Sequence, residues 1–255
     1  MKIAVITGAS SGMGRDFVKK LDAKHSFDEI WVIARRKERL EELAQRADIR
    51  AKVRPVALDL TDTKSIEEYA KLLEAEKPFV EVLVNAGGYG KFRDACEVPL
   101  EEQYGMVDLN SRALMGMTHV TLPYMGSGSC IYQLGSLSSF QPVPYIAVYG
   151  ATKAFVLSYS RALNSELKSR GIRVMAVCPG WVKTEFFDRA VSDNTISYYN
   201  KYFTSEEVVD RALRDMDKNK DVSVCGFSVR AQVLAVKLLP HRLVMWIWNK
   251  QQKKA

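Results

Sequence analysis

The sequence is poor in the side chains that build metal and disulfide sites. It has three histidines, His25, His119 and His241, and four cysteines, Cys96, Cys130, Cys178 and Cys225, with no Cys-x-x-Cys pair. That spacing excludes a zinc ribbon and a compact disulfide framework, so no metal is expected; reduced thiols fit a cytoplasmic location. No run of about 18 residues is free of charge, which argues against a membrane-spanning helix. The apolar stretch near the start, Ile3 to Ile6, is too short for a secretory signal. Compositional bias towards disorder is also lacking. Of 255 residues, 47% are hydrophobic and 26% charged, an ordinary globular mixture that supplies a sizeable core.

The bias that does exist is in charge. There are 37 Lys and Arg against 30 Asp and Glu, a formal +7. Such a surplus favours an anionic partner, whether nucleic acid, membrane headgroups or a phosphorylated cofactor. No basic patch with interleaved aromatics stands out, so nucleic acid is not expected.

β-Branched runs of strand length lie at Ile3 to Ile6, Ile30 to Ile33, Val53 to Leu58 and Val80 to Val84. Between them, Gly12 to Lys24, Lys37 to Ala47 and Thr63 to Glu74 have helical period, with Thr63 standing where a cap is expected. The pattern continues with a strand over Ser129 to Leu134, a long helix around Tyr149 to Arg170 and a strand over Ile172 to Val177. Thr204-Ser205-Glu206-Glu207 reads as a capping box, and Asp221 to Cys225 as a last strand. Near-continuous apolar strands alternating with helices predict an α/β, Rossmann-type fold, a doubly wound parallel sheet with helices on both faces. No linker or repeat interrupts residues 1–255, which are expected to form a single domain. The tail over 230–255 should be helical, with Pro240 bending or restarting the helix.

Thr7-Gly8-Ala9-Ser10-Ser11-Gly12-Met13-Gly14 follows the first strand and opens the first helix. Glycines there let backbone approach a ligand closely, and a helix N-terminus offers free N–H groups to a phosphate. The spacing is neither Gly-x-Gly-x-x-Gly nor a Walker loop, and an ordinary strand-to-helix turn is the plainer alternative. At the end of the second strand, where an acidic residue would bind ribose hydroxyls, the chain places Ala34, Arg35 and Arg36. Arginine pairs bidentately with a 2′-phosphate, so NADP(H) is expected rather than NAD. Tyr149 and Lys153 stand one helical turn apart, an arrangement in which the ammonium should pull the phenol's pKa down towards working pH. With 11 tyrosines about one such pair arises by chance, so its weight depends on its company.

That company is Asn85-Ala86-Gly87-Gly88, Asn110, Ser136 and Pro179-Gly180, all in order around the pair. On these residues the sequence resembles the short-chain dehydrogenase/reductase family from Lys2 to about residue 228. The resemblance implies that Tyr149 is the catalytic acid/base, and that Lys153 binds the nicotinamide ribose and lowers the tyrosine pKa. It makes Ser136 the hold on the substrate oxygen and Asn110 the support of a water-mediated proton relay. It further implies that Gly8, Ser10, Ser11, Gly12, Met13 and Gly14 line the pyrophosphate and that Asp59, beside Leu60, bonds the adenine. Asn85, Ala86 and Gly87 would back the adenosine half, and Pro179, Gly180, Val182 and Thr184 would meet the carboxamide end. Val84 and Gly135 depart from the family pattern, which leaves Ser138 and Ser139 as rivals to Ser136; the spacing to Tyr149 favours Ser136. Dimers and tetramers are usual among members, so a homo-oligomer is expected.

The implied activity is an NADP(H)-dependent oxidoreductase that moves a hydride between nicotinamide and a carbonyl or secondary alcohol. A sensor or scaffold that binds NADP without turnover is the alternative. Phe186, Phe187, Tyr198, Tyr199, Tyr202 and Phe203 crowd the segment after Pro179-Gly180, and residues 185–218 resemble the family's mobile substrate lid. Tyr89, Phe92, Phe140 and Tyr145 could reach the same pocket, which suggests an apolar small-molecule substrate such as a hydroxysteroid, a 3-oxoacyl chain or a small ketone. Leu234 to Trp248 mixes apolar residues with cations; packing on its own domain or on another subunit is the favoured reading, and contact with an anionic membrane surface is the alternative.

Overall fold

A computed structural model describes residues 1–191, 193, 195–199 and 201–254. Residues 192, 194 and 200 of the expected lid and residue 255 of the expected tail lie outside the described residues. In chain order the first half runs β1 (Lys2–Thr7), α1 (Gly12–Lys24), β2 (Glu29–Ala34), α2 (Lys37–Ala44), β3 (Lys52–Ala57), α3 (Thr63–Glu76) and β4 (Phe79–Asn85). Then come α4 (Leu100–Val107), a π-helical turn (Asp108–Ala113), α5 (Leu114–Thr121), β5 (Cys130–Leu134), α6 (Ala147–Glu166) and β6 (Arg173–Val177). The last part is β7 (Trp181–Lys183), α7 (Phe186–Ala190), β8 (Tyr202–Thr204), α8 (Ser205–Asp217), β9 (Val222–Ser223), α9 (Phe227–Leu238) and α10 (His241–Gln251).

Seven parallel strands form one sheet in the order β3-β2-β1-β4-β5-β6-β9, the doubly wound arrangement expected. Side chains alternate across it. Ala4 and Ile6 join Phe17, Val18 and Leu21 of α1 and Val208 and Val209 of α8 in one core. Ile3 and Val5 join Tyr69 and Leu73 of α3, Met117 of α5 and Leu163 of α6 in the other. Strand order reverses between β1 and β4, whose carboxyl ends meet at Thr7 and Asn85. A crevice opens there, as the topology of a doubly wound sheet dictates.

Two local expectations are corrected, and one helical run is added. The cap of α3 is Asp62, whose carboxylate accepts the Lys64 N–H at 2.9 Å, so Thr63 is the first helical residue. β9 keeps only two of the five expected residues, because the chain turns away at Gly226, whose φ is +89°. The helical run from Leu100 to Thr121 has no counterpart in the sequence pattern above; Gly105 and Gly116 weaken its period. The Thr204 capping box forms as read: the Glu207 N–H donates to Thr204 Oγ1 at 3.2 Å, and the Thr204 N–H donates to Glu207 Oε2 at 2.8 Å. At the tail, Pro240 caps α10 and separates it from α9.

Candidate active site

A cavity of about 590 Å³ runs along the carboxyl ends of the strands. Its floor at one end is the glycine turn. Gly8 and Gly12 have φ of +66° and +52°, and a Cβ on Gly14 would overlap the Gly8 carbonyl oxygen. Ser10, Ser11 and Met13 line the same end, with Ala86, Gly87 and Gly88 from the loop after β4. Arg36 crosses the rim. Its guanidinium donates to Ser10 Oγ at 3.0 Å, to Ser11 Oγ at 2.9 Å and to Glu185 Oε2 at 2.8 Å. Arg39 donates to the other oxygen of Glu185 at 2.5 Å, and these two bonds hold that carboxyl below its ordinary range. Arg35 lies 3.7 Å from Asp59. Burial works to raise the Asp59 pKa, but bonds from the Thr61 hydroxyl and N–H, with Arg35, hold it below the ordinary value. Leu60 completes this wall.

At the centre of the cavity stand Ser136, Tyr149 and Lys153. Ser136 lies two residues after β5 and caps a short 3-10 turn: the Ser138 N–H donates to its Oγ at 3.2 Å, and its own N–H donates to Ser139 Oγ at 3.1 Å. Its hydroxyl faces the Tyr149 phenol and favours the ionised form of that phenol. Of the two rivals, Ser139 is engaged in this turn, while Ser138 Oγ is buried with no partner. Lys153, one turn along α6, donates from Nζ to the Leu134 carbonyl at 2.6 Å. The expected downward shift of the tyrosine is not found. Burial pushes the Tyr149 phenol up to about 12, against the lowering by Ser136, and pushes the Lys153 ammonium down to about 8. Desolvation dominates both groups; Nζ sits 5.7 Å from the ring centroid and turns to a carbonyl. Cys178 lies beside them fully buried, and burial pushes its thiol up to about 12, so it stays protonated.

Two predicted site residues do not reach the cavity. Asn85 is buried and donates from Nδ2 to Thr118 Oγ1 at 3.0 Å and to Gln133 Oε1 at 2.9 Å, a cross-tie under the sheet. Asn110 is also fully buried, in the π-helical turn. It accepts the Tyr89 N–H at 3.0 Å and donates to the Tyr89 carbonyl at 2.9 Å and Thr152 Oγ1 at 3.1 Å. Its side-chain amide is thereby committed to joining the loop after β4 to α6. It borders the centre through Gly88, where a Cβ would lie 3.0 Å from Asn110 Oδ1 and 3.3 Å from Lys153 Nζ.

The far end is apolar. Tyr89, Phe92, Val143, Ile146, Phe186, Phe187 and Tyr198 line it, and Pro179, Gly180, Val182 and Thr184 join it to the glycine turn. Phe92 and Phe186 pack on the Tyr149 ring, with centroids at 6.1 and 5.5 Å. Phe140 and Tyr145 lie outside the lining, and Tyr199, Tyr202 and Phe203 sit behind it in packing contacts. Sequence reading missed the residues that close this end: Trp181, Arg189, and Val244, Ile247, Trp248 and Gln251 of α10. No motif marks them, since it is the fold of the tail that brings them there. Arg189 stacks 3.3 Å from the Tyr89 ring centroid and pairs with Glu102 at 3.2 Å, so its charge is already engaged.

A family model described as short chain dehydrogenase matches residues 2–195. Sulfoacetaldehyde reductase 2 of Chromohalobacter salexigens is 37% identical over 202 residues, covering 75% of this chain and 79% of its own. The NADP-dependent 3-hydroxy acid dehydrogenase of Schizosaccharomyces pombe is 29% identical over 88% of this chain and 90% of its own. Among solved structures, a short-chain dehydrogenase from Sphingobium yanoikuyae in complex with NADPH superimposes with a TM-score of 0.81, at 29% identity and 92% coverage of each chain. With a match across most of its length and the doubly wound sheet beneath it, the chain belongs to the short-chain dehydrogenase/reductase family of oxidoreductases.

Proposed function

We propose that this oxidoreductase uses NADP(H) to interconvert an apolar carbonyl compound and its secondary alcohol. The observation that carries the reading is the meeting of Ser136, Tyr149 and Lys153 in one cavity, at the junction of a polar groove and an apolar chamber. The glycine turn fits a phosphate-bearing cofactor, because Gly8 and Gly12 hold positive φ, no Cβ could fit at Gly14, and the turn opens the N-terminus of α1 onto the cavity. Gly8, Ser10, Ser11, Gly12, Met13 and Gly14 would hold the pyrophosphate, with Asp59, Leu60, Ala86 and Gly87 around the adenosine. Pro179, Gly180, Val182 and Thr184 would flank the nicotinamide.

Preference for the phosphorylated cofactor is read from Arg35, Arg36 and Arg39. Two of these guanidiniums already grip an anion, the Glu185 carboxylate, beside the Ser10 and Ser11 hydroxyls. A 2′-phosphate has the charge and the oxygens to take those bonds. The NADPH complex of the Sphingobium protein and the NADP dependence of the yeast relative support the same choice.

When bound, the nicotinamide supplies or accepts the hydride. The residues of the chain manage the oxygen. As the carbonyl carbon is reduced, negative charge gathers on its oxygen, where the Ser136 hydroxyl donates a hydrogen bond and Tyr149 Oη gives up a proton. Burial keeps that phenol protonated across the working range, so it is ready as an acid. Lys153, still charged at pH 7, stabilises the tyrosinate as it forms. Asn110 positions rather than reacts, locking the Tyr89 loop against α6. Phe92, Phe186, Phe187 and Trp248 exclude water from the reacting end; of the expected lid over 185–218 only Glu185, Phe186, Phe187, Arg189 and Tyr198 line the cavity, because α8 packs into the core against α1.

Tyr149→Phe tests the assignment. In an assay of NADPH oxidation against oxosteroids, 3-oxoacyl esters and small ketones, its turnover should fall at least about a hundredfold while NADPH affinity is retained. Turnover close to that of the parent chain would show that another group supplies the proton.

A further inference from the structure

After Asp221 the chain carries no carboxylate side chain, yet residues 222–255 hold Arg230, Lys237, Arg242, Lys250, Lys253 and Lys254. The same stretch leaves large apolar side chains in solvent: Phe227 is 81% exposed, Leu238 77%, Leu234 62% and Trp246 58%. They share faces. Phe227, Arg230, Leu234 and Leu238 recur at helical spacing along α9, and Arg242, Leu243, Trp246 and Lys250 do so along α10. The opposite faces are already used. Val229, Val233 and Val236 pack inward, and the Trp248 indole N–H donates to the Pro144 carbonyl at 3.1 Å.

We propose that the outer face of the α9–α10 hairpin docks on an anionic phospholipid bilayer. Exposed aromatic and aliphatic side chains enter the boundary between headgroups and acyl chains, while a ring of cations meets the lipid phosphates. Among the described residues no ion pair is made by Arg230, Lys237, Arg242, Lys250 or Lys253, so their charge is available to such a partner. A hollow on this face is lined by Arg242, Trp246, Lys250 and Lys254, three cations around an indole. A second copy of the chain is a poorer occupant. A two-fold contact would set these cations against themselves, with no acidic side chain of the segment to answer them.

The face is continuous with the active-site cavity. Leu239 and Ile247 belong to the cavity wall and are also 37% exposed at the apolar surface. Docking would therefore bring a wall of the chamber against the bilayer, the place where an apolar carbonyl compound concentrates. The docking itself stands apart from the assigned reaction and would hold for an inactive chain.

Co-sedimentation of the full chain with vesicles tests it. Binding to phosphatidylcholine vesicles containing about 30 mol% phosphatidylserine should be at least about tenfold tighter than to pure phosphatidylcholine, and should weaken as salt rises. A chain carrying F227S, L238S and W246S, residues outside the cavity lining, should lose vesicle binding while retaining NADPH binding as proof of folding. Equal binding to both vesicle types, or none, would overturn the proposal. So would a triple variant that binds vesicles unchanged but loses an oligomer seen by light scattering, since the face would then join copies of the chain.

Discussion

Tyr149 and Lys153 show how little a sequence pattern says about charge. Their spacing is legible in the chain, but the direction of their pKa shifts depends on burial that no motif encodes. Lys153 has the clearer consequence for stability. Its folded value near 8 lies below the ordinary 10.5, so between those pH values the unfolded chain binds a proton that the native chain has released. Stability contributed by this residue must then rise with pH across that window, and the penalty for burying the cation is present in full below it. Replacing it by an uncharged side chain removes this dependence. In urea titrations of the cofactor-free protein, the stability difference between the parent and Lys153→Met should move in the parent's favour from pH 8 to 10.5, by on the order of 3 kcal/mol at most. A difference independent of pH would mean that Lys153 titrates as it does in water. Ser136 was legible by its distance from the tyrosine, whereas the engagement of Ser139 in its capping turn was not.

At the scale of elements, strands and capped helices were readable because local chemistry determines them. The capping box at Thr204 and the glycine turn before α1 are of this kind. The π-helical turn at Asp108–Ala113 is not: it inserts one residue into a helix so that Asn110 turns inward to Tyr89 and Thr152, and only tertiary contacts stabilise it. The tail falls in the same class. Its helices could be foreseen, but not that Gln252 would tie it to the lid. That side chain accepts the Ser197 and Tyr198 N–H groups at 2.9 and 3.0 Å and donates to the Tyr198 carbonyl at 3.2 Å. Gln252→Ala should therefore loosen the lid. Amide exchange at Ser197 and Tyr198 should quicken by about tenfold or more, and kcat/KM should fall several-fold without loss of cofactor affinity. Unchanged exchange at these two amides would show that the lid is held elsewhere.

Over the whole molecule, cations gather in two places. One is the rim of the crevice, where Arg35, Arg36 and Arg39 converge from β2 and α2 on Asp59 and Glu185. The other is the carboxylate-free hairpin at the end of the chain. Composition could report the surplus but not its division, which the strand order and the return of the tail across the cavity create. The match to the family model ends at residue 195, before the helices that close the apolar chamber. Ser136, Tyr149 and Lys153 lie within that match, while Val244, Ile247, Trp248 and Gln251 of the chamber wall lie beyond it. Cofactor choice is the claim on which the account of the reaction turns. The most direct measurement is titration of the purified protein with NADPH and with NADH, following tryptophan fluorescence. Charge-assisted bonds to the 2′-phosphate should make NADPH at least about tenfold the tighter ligand. Equal affinities, or a preference for NADH, would contradict the reading of Arg35 and Arg36.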